Sequence, residues 1–117
     1  MEQTNWQQLA QHAIDYLAPY APVIILGLES ASRQLGRPIE RKQFVNAKSV
    51  YAVLKADFER DINDKGRALL EAFTREPARY HDHLIALVAA RAAAAPDDFG
   101  HKLVTITNRL YQDPPLP

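Results

Sequence analysis

An all-α fold, a single compact bundle of five or six helices, is what this sequence predicts, on three observations. Apolar residues recur at helical spacing through nearly the whole chain, and strict alternation is absent apart from a short ambiguity at 103–107. The 4 glycines and 8 prolines stand where helices should start or stop, three of the prolines within the last four residues. At 117 residues, 47% hydrophobic and 24% charged, the chain has the size and composition of one globular domain with its own core.

The first helix is expected from Thr4 or Asn5, either able to cap it, to Leu17, with Trp6, Leu9, Ala13, Tyr16 and Leu17 on its apolar face. Pro19 and Pro22 break or kink the chain. A second helix is expected over Ala21–Leu35, with Pro22 in its first turn, Gly36 as a left-handed cap and Pro38 barring continuation. Because Val23–Leu28 is apolar nearly all round, this helix is predicted to be the most buried. A third helix over Glu40–Ile62 carries Phe44, Ala47, Tyr51, Leu54, Phe58 and Ile62 on one stripe, with Arg41, Lys48, Lys55, Glu59 and Asp61 off it. A short helix over Lys65–Thr74 (Leu69, Leu70, Phe73) precedes one that opens on Pro77 and runs to Ala94 through Tyr80, Leu84, Leu87 and Val88. Pro96 ends it. Asp97 and Asp98 are expected to cap a last helix with Phe99, Leu103, Ile106 and Leu110 inward. The organisation is therefore a bundle over residues 1–112 and a proline-rich tail or linker end at 113–117.

Several function classes fall away. With 14 basic and 14 acidic residues the net charge is zero, which argues against nucleic acid as a partner. There is no cysteine, hence neither a disulfide nor a thiolate site. The N-terminus lacks the basic region of a secretory signal. The charge-free run Tyr16–Leu28 is shorter than the about 18 residues of a membrane span, and reads as a core helix or as one that can be released into a bilayer. His81 and His83, two apart on a helix, point to different faces and cannot grip one metal. Asp61–Gly66 echoes the start of a calcium loop but has Lys65 at its fifth position and Ala72 at its twelfth. No phosphate loop, dinucleotide fingerprint or nucleophile elbow occurs. No enzyme, cofactor or metal is expected.

Charge is unevenly spread. Residues 1–32 contain Glu2, Asp15 and Glu29 and no basic residue, whereas 33–48 contain Arg33, Arg37, Arg41, Lys42 and Lys48 against Glu40 alone. Two readings stand: a solvated helix end, or a contact for anionic lipid, where each cation contributes about 1 kcal/mol.

The order of features resembles a family. Tyr16-Leu17-Ala18-Pro19-Tyr20 is followed by Gly27 and Leu35-Gly36, then Ala68-Leu69-Leu70-Glu71-Ala72-Phe73, Glu76-Pro77, an alanine-rich helix, and Ala95-Pro96-Asp97-Asp98 before a Leu103-containing helix. Across Asp15–Leu110 this is similar to the bacterial Bell domains, themselves like the fungal HeLo and HeLo-like domains and the four-helix bundle of the necroptosis pseudokinase. The resemblance implies a cell-death effector of bacterial immunity that is cytoplasmic, clusters on activation, relocates to the inner face of the cell membrane and forms pores. It further implies a signalling partner reached through a C-terminal segment that these residues do not contain. The membrane-inserting residues it implies are Tyr16, Leu17, Tyr20, Val23, Ile24, Ile25, Leu26, Gly27 and Leu28. In the soluble form Val23, Ile24, Ile25 and Leu26 would be hidden in the bundle; once oligomerisation released the first two helices into lipid, Gly27 and Ala31 would permit close helix contact there. Arg33, Arg37, Arg41, Lys42 and Lys48 would hold the headgroups. The alternative is a non-enzymatic adaptor of the death-fold kind.

Overall fold

The computed structural model describes residues 4–60 and 64–114. Its elements are α1 (Trp6–Leu17), a 3-10 helix (Ala18–Val23), α2 (Leu28–Leu35), α3 (Arg41–Phe58), α4 (Lys65–Arg75), α5 (Pro77–Ala94) and α6 (Phe99–Gln112), with no strand among the described residues. The all-α expectation holds, in a body 44 × 32 × 21 Å along its principal axes.

Helix α1 is the central element. It packs most extensively on α5, then on α6 and α3. Its Ala10, Ala13, Ile14 and Leu17 are fully buried, the small alanines letting neighbouring helices approach. Asn5 caps it, accepting from the Gln8 amide at 3.0 Å. The core continues through Phe44, Leu54 and Phe58 of α3, Leu70 and Phe73 of α4, Leu84 and Val88 of α5, and Phe99, Leu103 and Leu110 of α6. Two glycines make tight joints. A Cβ on Gly66 would lie 2.8 Å from the Phe58 ring. One on Gly100 would lie 2.7 Å from Trp6 Cη2 and 3.0 Å from the Ala92 carbonyl oxygen, so the indole sits directly on the start of α6.

Three expectations are corrected. The apolar run does not form a long second helix: Ala18–Val23 is a 3-10 helix and regular helix resumes only at Leu28. Pro22 lacks an amide proton and its ring crowds the carbonyl four residues back, so the α-helical bond is unavailable there. The chain instead makes shorter bonds, from the Ile24 amide to the Ala21 carbonyl and from Leu26 to Val23. Gly36 does cap α2 in the left-handed region, at φ 71. Second, α3 ends at Phe58, with Glu59 and Arg60 in a turn rather than helix; Asp61 and Ile62 of the expected continuation, and Asn63 of the calcium-loop echo, lie outside the described residues. Third, Asp98 occupies the N-cap position of α6 without a side-chain capping bond, its carboxylate turned to Arg60 and Lys102.

Candidate membrane-docking surface

The basic segment lies at the outer edge of the bundle. Helix α2 buries only Ala31 completely and contacts chiefly the 3-10 helix. Arg33 lies in its last turn, Arg37 in the following loop, and Arg41 and Lys42 in the first turn of α3. All four are exposed, and none forms an ion pair with a described residue; Arg33 reaches only the Ser30 hydroxyl, at 3.5 Å. Helix dipoles account for Arg33, since a cation is favourable at a helix C-terminus. They do not account for Arg41 and Lys42, which stand at the positive end of α3. Glu40 is engaged there as the cap, accepting from the Gln43 amide at 2.8 Å.

Lys48 departs from the expected headgroup role. Its ammonium is folded inward, donating to the Ile24 carbonyl at 2.8 Å and resting 4.8 Å from the centroid of the Phe44 ring. It fastens the turn that follows the 3-10 helix to α3.

The apolar residues expected to insert divide into two groups. Tyr16, Leu17, Tyr20, Val23 and Ile24 are buried in the core. Ile25, expected to be hidden, is 78% exposed at the tip of the turn, with Leu26 and Leu28 half-buried beside it. A turn that binds its backbone through Ile24 and Lys48 leaves the next side chain no inward direction. Gly27 faces open space and serves as the N-cap of α2.

Two polar clusters escape the sequence pattern. Behind the 3-10 helix, the Tyr20 hydroxyl donates to Gln43 Oε1 at 3.0 Å and Gln43 Nε2 to the Pro114 carbonyl at 2.9 Å. The Tyr16 hydroxyl donates to the Asp113 carbonyl at 2.7 Å, and Asn46 Nδ2 to Asp113 Oδ2 at 3.3 Å. Burial raises the pKa of both tyrosines. Asp113 is thus half-buried and tied to the bundle, whereas Pro114 is exposed as expected of the tail while its carbonyl accepts from Gln43; 115–117 lie outside the described residues. At the far end of α3, buried Asp57 accepts from Arg91 Nε at 2.5 Å and Arg60 Nη2 at 2.7 Å, while Arg60 also reaches Asp98 at 3.3 Å. Gln43, Asn46 and Asp57 fall at helical spacing within the buried arc of α3, and polar residues at apolar positions were the available signal.

Of the histidine pair on α5, His81 is drawn into a contact between helices, whereas His83 faces solvent. His81 is half-buried and bridges helices, with Nε2 2.5 Å from Asp15 on α1 and Nδ1 2.8 Å from Asp82. These two carboxylates raise its pKa. His83 is exposed. No group of His and acidic side chains able to hold a metal occurs among the described residues, and no described helix is long and apolar enough to cross a membrane.

No protein-family model matches the chain, and no curated protein or solved structure is similar to it.

Proposed function

We propose that this chain is a non-enzymatic helical domain that docks on anionic membrane through Ile25 and the cations Arg33, Arg37, Arg41 and Lys42. The observation that carries this reading is the set of exposed cations without ion-pair partners among the described residues, two of them at a helix end where they oppose the dipole. Charge so placed serves an external anion better than it serves the fold. An exposed isoleucine in the same stretch supplies an apolar anchor that need not leave the core. Together with the resemblance to Bell domains, docking at the inner face of a cell membrane is the first step of a cell-death effector that self-associates and permeabilises that membrane. Insertion of Tyr16, Leu17, Tyr20, Val23 and Ile24 is a later step, because each large apolar side chain withdrawn from the core costs about 1.5–3 kcal/mol until lipid receives it.

Co-sedimentation with phosphatidylserine-containing vesicles tests the docking step. Changing Arg33, Arg37, Arg41 and Lys42 to Gln should lower the partition constant by roughly three orders of magnitude at low salt, at about 1 kcal/mol per cation. High salt should mimic the variant. Ile25→Asp, at an exposed position, should weaken binding without unfolding the protein. Calcein release from the same vesicles reads the permeabilising step. Binding indifferent to salt and to all five residues would overturn docking and leave the adaptor in its place.

A further inference from the structure

Two histidines flank α1 with opposite requirements. On one side, the His81 imidazole joins α5 to Asp15 of α1. On the other, His12 of α1 stacks on Tyr111 of α6, ring centroids 4.2 Å apart and planes 15° from parallel. His12 Nε2 is shut away from solvent and has no hydrogen-bond partner among the described residues. A neutral ring tolerates this, since Nε2 can be the unprotonated nitrogen. An imidazolium does not: both nitrogens then carry protons, and one would point at no acceptor.

Of the groups around His12, Asp15 attracts the charged ring, but burial outweighs that attraction. On its own helix stand Asp15 and the uncharged Gln8 and Gln11, and from α6 the Tyr111 ring. Asp15 Oδ1 is taken by His81 of α5, which Asp82 holds from behind. Asp113, just past α6, is engaged by Asn46 of α3. The attraction of a cation to the Tyr111 face offsets only part of the desolvation. We propose that α1 carries an acid-opened seam: protonation of His12 separates α1 from α6, while the His81–Asp15 bridge retains α1 on α5.

The signs agree. Burial depresses the His12 pKa, so the folded arrangement is penalised as pH falls below the ordinary histidine value of about 6.5. The His81 pKa is raised, so its bridge is fully present below that value and is lost only as pH rises through the raised one. Mild acid therefore closes one side of α1 as it opens the other. Resting on the docking reading, the trigger has a source: a surface potential of about −30 mV concentrates protons about threefold at an anionic membrane.

Trp6, the only tryptophan, reports on the seam because its indole rests on Gly100 of α6. Its emission should shift to the red between pH 7.5 and pH 5, a range that leaves most carboxylates ionised. His12→Phe keeps a ring against Tyr111 without a titrating group and should abolish the shift, whereas His83→Gln should preserve it. The same transition in His12→Phe would overturn the seam. Should that variant fail to fold, imidazole NMR of the unaltered chain decides. His12 protonating below pH 6.5 with loss of its Tyr111 ring contacts supports the seam, and protonation with those contacts intact overturns it. The measurement needs no lipid, so its failure leaves docking standing, just as loss of vesicle binding at pH 7.5 would leave the seam standing.

Discussion

The two ends of α3 use charge in opposite ways. At the C-terminal end, Asp57 is buried and shared by Arg60 and Arg91, and Asp98 adds a second carboxylate. Near it Lys55, Arg67 and Lys102 are each paired as well, with Glu59, Asp64 and Asp98. At the N-terminal end, Arg41 and Lys42 have no ion-pair partner among the described residues, and neither do Arg33 and Arg37 before them. One end is cross-linked by its charges. The other presents them to solvent, and its only inward cation, Lys48, is held by a carbonyl and a ring rather than by an acid. A chain of zero net charge can therefore carry a strongly basic surface, provided its acids are consumed elsewhere.

Mutations that touch each end sharpen the contrast. Asp57→Ala removes the buried carboxylate shared by Arg91, its side chain 27% exposed, and by Arg60, which keeps Asp98, and should lower unfolding free energy by about 3 kcal/mol in urea titration. Leu26→Ala, at a half-buried position of the turn, should cost only about 1 kcal/mol, well below the 2–5 typical of a fully buried leucine. His81→Gln should lower the melting temperature at pH 6, and the difference from the unaltered protein should shrink as pH rises through the raised His81 value. A difference that grew with pH would contradict the bridge. The smallest effect is expected from the fourfold Gln variant of Arg33, Arg37, Arg41 and Lys42, within about 0.5 kcal/mol of the unaltered stability. If it destabilised as much as Asp57→Ala, the two ends would not differ as described.

Where local chemistry decides, the sequence was legible. Helix α5 spans Pro77–Ala94 as read, because proline at the first helical position and an alanine run need no partner to act. All four residues of the α6 stripe are buried, and Gly36 takes the left-handed cap. The losses have a common cause. Whether Val23–Leu28 continued as helix depended on a bond that Pro22 forbids and on a lysine far along the chain that fastens Ile24. Asp57 is buried because Arg91 returns to it across 34 residues, and Tyr16 meets Asp113 across 97. Such pairings follow from which helices become neighbours, and helical periodicity carries no such information. Of the proposed docking surface, the cations Arg33, Arg37, Arg41 and Lys42 were legible as an acid-poor run. Exposure of Ile25 and withdrawal of Lys48 were not, because both follow from how the turn closes.

The central place of α1 has a consequence during synthesis. This helix precedes the others in the described chain, yet most of the surface that covers it belongs to α5 and α6, which begin at Pro77 and Phe99. At translation rates of about 5–20 residues per second, its apolar face waits on the order of ten seconds for cover. The order of helices along the chain thus separates the making of this apolar face from the making of most of its cover.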